Sequence, residues 1–357
     1  MRRAIRFAAR PFLFQVIVRR YNPLMRALLL DKPGPAESSP LHLRNLPEPI
    51  PGPGEVVVHV HCCGVCHTDL HIIEGDLALP QLPIVPGHQI VGAVSALGAG
   101  ARQLKEGDRV GIPWLFSTCG TCRFCVAASE NLCETARFTG LHSNGGYAEK
   151  VVVRESFAHP LPMNFTDESA APLLCAGVIG YRSYRLSQIR PGERLGLYGF
   201  GASAHLVLQL ARQHGCEVDV FTRTPAHQDL ARQLGATFVG RAEDSPPSPL
   251  DAAILFAPAG ALVPHALRAL RKGGTLALAG ITMSTIPALE YATLYHERVL
   301  RSVANSTRQD VREFLELAAS IPITTEVQLF PLEDANLALL DMKHSRIRGA
   351  AVLTLER

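Results

Sequence analysis

Residues 194–215 read RLGLYGFGASAHLVLQLARQHG: a short apolar run, a glycine turn, and an amphipathic stretch closed by glycine. The turn Gly199-Phe200-Gly201-Ala202-Ser203-Ala204 has the form G-x-G-x-x-A. Gly199 allows a tight reversal, Gly201 lets a pyrophosphate approach bare backbone, and Ala204 lets helix and strand pack closely. The N-terminus of the helix that follows favours the anion. Alone, such a turn is a weak signal. Between a strand pattern and a helix pattern it predicts a dinucleotide-binding βαβ unit.

The alternation continues outward. CEVDVFT (216–222) reads as a strand, PAHQDLARQLGA (225–236) as a helix, DAAILFAPAG (251–260) as a strand, VPHALRALRKGG (263–274) as a helix and TLALAG (275–280) as a strand. Strands alternating with helices predict a parallel sheet with right-handed crossovers. The pattern fades near residue 304. DVREFLELAAS (310–320) is a further helix, and RGAAVLTL (348–355) reads as a strand free to return to the first domain. Before Cys175 the texture differs. GEVVVHVHCCGV (54–65), IVGAVSALG (90–98), GDRVGIP (107–113) and GGYAEKVVV (145–153) are short strands with metal-type residues in the intervening loops. The expected organisation is α/β: a Rossmann-type parallel-sheet domain over 176–304, and a β-rich domain over 25–175 completed by 305–357.

A chain of 357 residues suits two domains. The formal net charge of +3 is too near neutral to suggest a nucleic-acid or membrane partner. No apolar run is long enough to span a bilayer. Residues 1–24, MRRAIRFAARPFLFQVIVRRYNPL, hold six arginines and no acid. They read either as an organelle transit peptide or as an upstream start, with Met25 opening the domain. The second reading is favoured because transit peptides are also Ser-rich, and removal of 1–24 is expected to leave activity intact.

The nine cysteines fall into groups. Cys119, Cys122, Cys125 and Cys133 are spaced C-x2-C-x2-C-x7-C. Repeated short spacing brings thiolates onto one ion, and four of them make a closed, structural zinc cage. A nucleic-acid finger would want basic neighbours, which this lobe has few of. Cys66, His88 and Cys175 form a looser set in turns and at the domain junction, and a Cys2His zinc site leaves its fourth position open. Cys62, Cys63 and Cys216 remain as small buried residues. An odd cysteine count argues against a disulfide framework and for a reducing compartment, the cytoplasm.

GVCHTDLH, PGH, the four-cysteine lobe and GLYGFGASAH, in this order, resemble the zinc-dependent medium-chain alcohol dehydrogenases. The resemblance runs from about Met25 to the C-terminus. It implies a GroES-like catalytic domain beside the Rossmann domain, two zinc ions per chain, and a catalytic zinc on Cys66, His88 and Cys175. It also implies Thr68 and His71 as a proton relay running through the cofactor ribose, with Asp69 supporting the metal site. His67 would approach the cofactor pyrophosphate, and Trp114 would narrow the pocket of a small alcohol or aldehyde. Family members form dimers or tetramers, so a homodimer or homotetramer is expected. The implied reaction is reversible hydride transfer between a primary alcohol and NAD or NADP. One departure is Gln89, where the family usually places a glutamate able to approach the zinc.

For the cofactor, an acid about 20 residues beyond the glycine turn would hold the ribose of NAD. Thr222 or Arg223 falls at that point. Arg223 would take a 2′-phosphate by a charge-assisted contact, which favours NADP, with Asp219 as the rival. A zinc-free quinone reductase of the same superfamily would lack both metal sets. A non-catalytic dinucleotide-binding regulatory protein on this scaffold would be expected to lose Cys66, His88 or Thr68.

Overall fold

The computed structural model describes residues 23–355, so nearly all of the N-terminal extension lies outside the described residues. A six-stranded sheet has the spatial order 238–240, 217–221, 194–198, 250–255, 270–278, 299–302. Every neighbouring pair in it is parallel. Strand 194–198 sits near the centre with Leu195 and Leu197 fully buried, and its neighbours carry Val218, Val220, Ile254 and Leu255. Such near-continuous apolar runs belong to parallel strands covered on both faces. Helix Ala202–Gln213 lays Ala204, Val207, Leu208 and Ala211 on one face of this sheet.

Two element boundaries differ from the sequence reading. The helix expected over 263–274 ends at Ala269, and strand Leu270–Leu278 begins there. Gly273 takes φ +72° inside that stretch, a conformation outside the helical range. The strand expected over 145–153 spans only Lys150–Arg154. Its first residues instead follow the turn at Gly87, with Gly146 N donating to Gly87 O at 3.0 Å and Gly145 N to Val85 O at 2.7 Å.

The second large sheet runs 327–331, 350–354, 55–65, 89–97, 109–112, 159–160, and strand 150–154 also pairs with 55–65. Ala351–Thr354 pair antiparallel with Val65–Cys62, so the last strand does return to the first part of the chain. A separate hairpin joins Leu24–Leu30 and Leu41–Pro47. Between the two large sheets lie helices Ala176–Ser187 and Arg308–Ser320. They share one apolar cluster with Cys62, Val91, Leu206 and Val352, drawn from both sides. Contact is close: a Cβ on Gly177 would lie 2.3 Å from the Phe314 ring.

Candidate metal and active site

Strand Glu55–Val65 ends directly at Cys66, which caps helix His67–Glu74. The Cys66 sulfur accepts from Thr68 N at 3.3 Å, and Asp69 returns a carboxylate oxygen to Cys66 N at 2.9 Å. This reciprocal cap satisfies the first N–H groups of the helix and fixes the direction of the sulfur. Cys175 stands at the start of helix Ala176–Ser187, and His88 follows Gly87, whose φ of +96° turns the chain. The three donors converge. Cys66 Sγ lies 3.3 Å from His88 Nε2, His88 Nε2 lies 3.4 Å from Cys175 Sγ, and the two sulfurs are 3.9 Å apart. For zinc–sulfur bonds of about 2.3 Å, tetrahedral ligation separates two sulfurs by roughly 3.8 Å, so the donor set fits that ion.

The electrostatics point the same way. His88 is fully buried, and its Nδ1 is 3.0 Å from Asp69 Oδ1, which leaves Nε2 facing the sulfurs. This is the usual outer support of a metal-bound imidazole. Burial opposes protonation of His88, but the Asp69 carboxylate and Cys66 outweigh it and hold the imidazolium up to about 10. The hydrogen bond with Cys175, then burial, pushes the Cys66 thiol well up. A cation seated between the two sulfurs would favour their thiolate forms, the role zinc would fill.

Thr68 is buried beside Cys66. His71, one turn further along the helix, has partners on both ring nitrogens: Nδ1 lies 2.8 Å from Asp76 Oδ2, and Nε2 lies 3.1 Å from Thr282 Oγ1 in the segment after strand 270–278. Neither Asp76 nor Thr282 is singled out by the sequence reading. An Asp five residues beyond a His carries no spacing signal, and Thr282 meets it only through folding. His67, at the first helical position, is exposed. Trp114 is buried, meets the His88 ring edge-to-face at 4.8 Å, and stacks on Phe138 at 5.0 Å. Gln89 is buried against Gly64, and its Nε2 has no hydrogen-bond partner. A carboxylate there would bring a buried charge, whereas the amide brings none.

Cys119, Cys122, Cys125 and Cys133 gather on a separate lobe, from exposed Cys119 to buried Cys133. Cys133 Sγ–Cys119 Sγ is 3.6 Å, Cys122 Sγ–Cys125 Sγ 3.6 Å and Cys119 Sγ–Cys125 Sγ 3.8 Å. Backbone N–H groups of Thr121 and Cys122 donate to Cys119 and lower its thiol to about 5, which favours the ligating thiolate. All four positions of a tetrahedron are thereby taken by protein.

At the glycine turn, Gly199 takes φ +86° and its backbone lies against Ala257. A Cβ on Gly201 would meet nothing within 4 Å, so open space stands over the N-terminus of helix Ala202–Gln213. That is the cradle a pyrophosphate requires. Asp219 is fully buried within its strand and paired with Arg194 at 2.9 Å, which ties its carboxylate up within the sheet. Arg223 is exposed just beyond the strand tip, and Thr222 is buried with its N–H on Gly240 O.

Known proteins carry the same organisation. Residues 52–163 match the alcohol dehydrogenase GroES-like domain, and 204–320 match the zinc-binding dehydrogenase domain. A probable alcohol dehydrogenase, AdhA, of Mycobacterium tuberculosis is 50% identical over 93% of this chain and 97% of its own. An alcohol dehydrogenase of Geobacillus stearothermophilus is 35% identical over 89% of this chain and 97% of its own. Among solved structures, a cinnamyl alcohol dehydrogenase from Sorghum bicolor superposes with TM-score 0.84 at 27% identity, covering 93% of this chain and 97% of that one. Sequence and fold together place the chain in the zinc-dependent medium-chain alcohol dehydrogenase family.

Proposed function

We propose that this chain is an alcohol dehydrogenase and aldehyde reductase. It would move hydride reversibly between a small primary alcohol and a nicotinamide dinucleotide. The observation that carries this reading is the convergence of Cys66, His88 and Cys175 beside Thr68, between the nucleotide-binding sheet and the β-rich sheet. Zinc held by these three would polarise the substrate oxygen, and the nicotinamide would carry the hydride. The chain's own residues do the rest. Thr68 accepts the hydroxyl proton, and His71 receives it at the cleft side of its ring. Asp69 keeps His88 aimed with Nε2 inward. Trp114, braced by Phe138, narrows the pocket on the His88 side and excludes bulky substituents.

NADP is the proposed cofactor. Asp219, the acid that would favour NAD, is engaged with Arg194, and Arg223 stands exposed at the strand tip. His67 and the turn Gly199, Gly201, Ala204 would receive the pyrophosphate. A homo-oligomer fits the outer edge of the parallel sheet. Strand Val299–Ser302 ends that sheet with Val299 exposed, and Ile281, Tyr291 and Tyr295 are exposed nearby in sequence. Unpaired edges of this kind invite a second chain. Among the described residues no helix is long and apolar enough to cross a membrane. The odd number of cysteines and their metal-ligand spacing support a reducing, cytoplasmic setting.

The test is metal analysis together with a panel of alcohols and aldehydes assayed with both dinucleotides. The expected result is about two zinc ions per chain and turnover of slender primary alcohols with NADP. One zinc and no turnover would sink the reading, and a strong NAD preference would sink the cofactor assignment alone.

A further inference from the structure

We propose that Asp76 is a positioning residue for His71, fixing its tautomer so that Nε2 is the nitrogen that accepts a proton from the cleft. The inference deepens the proton relay of the function proposed above. His71 Nδ1 lies 2.8 Å from Asp76 Oδ2. An ionised carboxylate only accepts, so the proton of the neutral imidazole must sit on Nδ1, and Nε2 keeps its lone pair. The second ring contact agrees: Nε2 is 3.1 Å from the Thr282 hydroxyl, which is able to donate to it.

The backbone enforces this pairing. Helix His67–Glu74 is stopped by Gly75 at φ +84°, a left-handed cap. The chain then doubles back, with Gly75 N at 3.1 Å and Asp76 N at 2.9 Å from the His71 carbonyl. A residue five positions on is thereby returned to the ring it would otherwise have passed. Glycine is the residue that makes this reversal without strain. The Asp76 side chain is 53% exposed and that of His71 19%, so the Nδ1 side of the ring reaches solvent through the carboxylate.

In the proposed step Nε2 takes the proton, both ring nitrogens then carry hydrogen, and the positive ring lies beside the Asp76 carboxylate. A ring with the opposite tautomer would present N–H to the incoming proton and block it. In this proposal Asp76 acts through His71, the ring its carboxylate bonds.

The test compares wild type, Asp76→Ala and Asp76→Glu. Long-range proton–nitrogen NMR of histidine-labelled protein should place the neutral His71 proton on Nδ1 in wild type and on Nε2 in Asp76→Ala. The alanine variant should lose about tenfold in kcat for alcohol oxidation, equivalent to one misplaced hydrogen bond at the barrier. KM for alcohol and dinucleotide, zinc content and melting temperature should stay within twofold or a degree or so of wild type, and the glutamate variant should recover most of the loss. An Nε2–H tautomer in wild type overturns the proposal. So does an alanine variant with undiminished kcat, or a loss that follows zinc or folding and is not restored by glutamate. Should the wild-type chain oxidise no alcohol, the NMR comparison still decides the tautomer, so failure of the function and failure of this inference are separable.

Discussion

Asp69 serves two of the metal-site residues at once, with one oxygen on the Cys66 N–H at 2.9 Å and the other on His88 Nδ1 at 3.0 Å. Its side chain is fully buried, so an asparagine of the same shape tests the charge rather than the packing. Asp69→Asn should weaken zinc retention by about 10–100-fold, read as zinc left after competition with a chelator. His205 offers a second test at this scale. It is buried at 1% exposure with neither ring nitrogen partnered, and burial depresses its pKa to about 4. Between that value and the ordinary 6.5, the unfolded chain binds a proton that the native chain refuses, so stability falls as pH falls through this window. His205→Leu should flatten the loss between pH 7 and 5 by on the order of 1–2 kcal/mol, seen in urea melts at the two pH values. His159, depressed to about 3 by burial, acts in the same direction and leaves some acid sensitivity in that variant.

At the level of elements, the strand–turn–helix around Gly199 and Gly201 separates two uses of glycine. Gly199 is held at φ +86° with Ala257 against it, so the fold itself needs glycine there. Gly201 has neither a positive φ nor a neighbour within 4 Å of an added Cβ. Gly201→Ala should therefore fold with nearly unchanged melting temperature yet bind dinucleotide at least tenfold more weakly, measured by fluorescence titration of the reduced cofactor. The four-cysteine lobe is also tied to a helix. Glu130 bonds the Arg308 guanidinium at 2.6 and 2.9 Å, and Asn131 Nδ2 donates to Ala304 O at 2.6 Å. Arg308 opens helix Arg308–Ser320, which packs on the helix led by Cys175. Glu130→Ala leaves a partly buried guanidinium without its carboxylate and should cost about 1–3 kcal/mol, visible in thermal melts with zinc in excess.

For the whole molecule, the last strand and the helix before it decide how the two sheets meet. Strand Ala350–Thr354 is inserted between 327–331 and 55–65 in the β-rich sheet, although about 290 positions separate it in sequence from its antiparallel partner. Phe314 fills the space over Gly177, and the cluster around it holds side chains from both sheets. Cys175 therefore reaches the site from a different element and a different part of the chain than Cys66 and His88.

Much of this was legible beforehand because some signals are local. Sequence by itself determined the glycine turn, the alternation that builds the parallel sheet, and the four-cysteine lobe, since each is written within a few dozen residues whose spacing has a direct geometric meaning. It also grouped Cys66, His88 and Cys175 by their places in turns and at the domain junction, a grouping the resemblance to a family strengthened. The tertiary structure alone decided that these three donors lie within 3.9 Å of one another, that Asp219 is engaged by Arg194, and that Asp76 and Thr282 close on the two sides of His71. Those facts depend on a helix cap folding the chain back and on separate segments packing together, and neither leaves a period or a spacing to be read in one dimension.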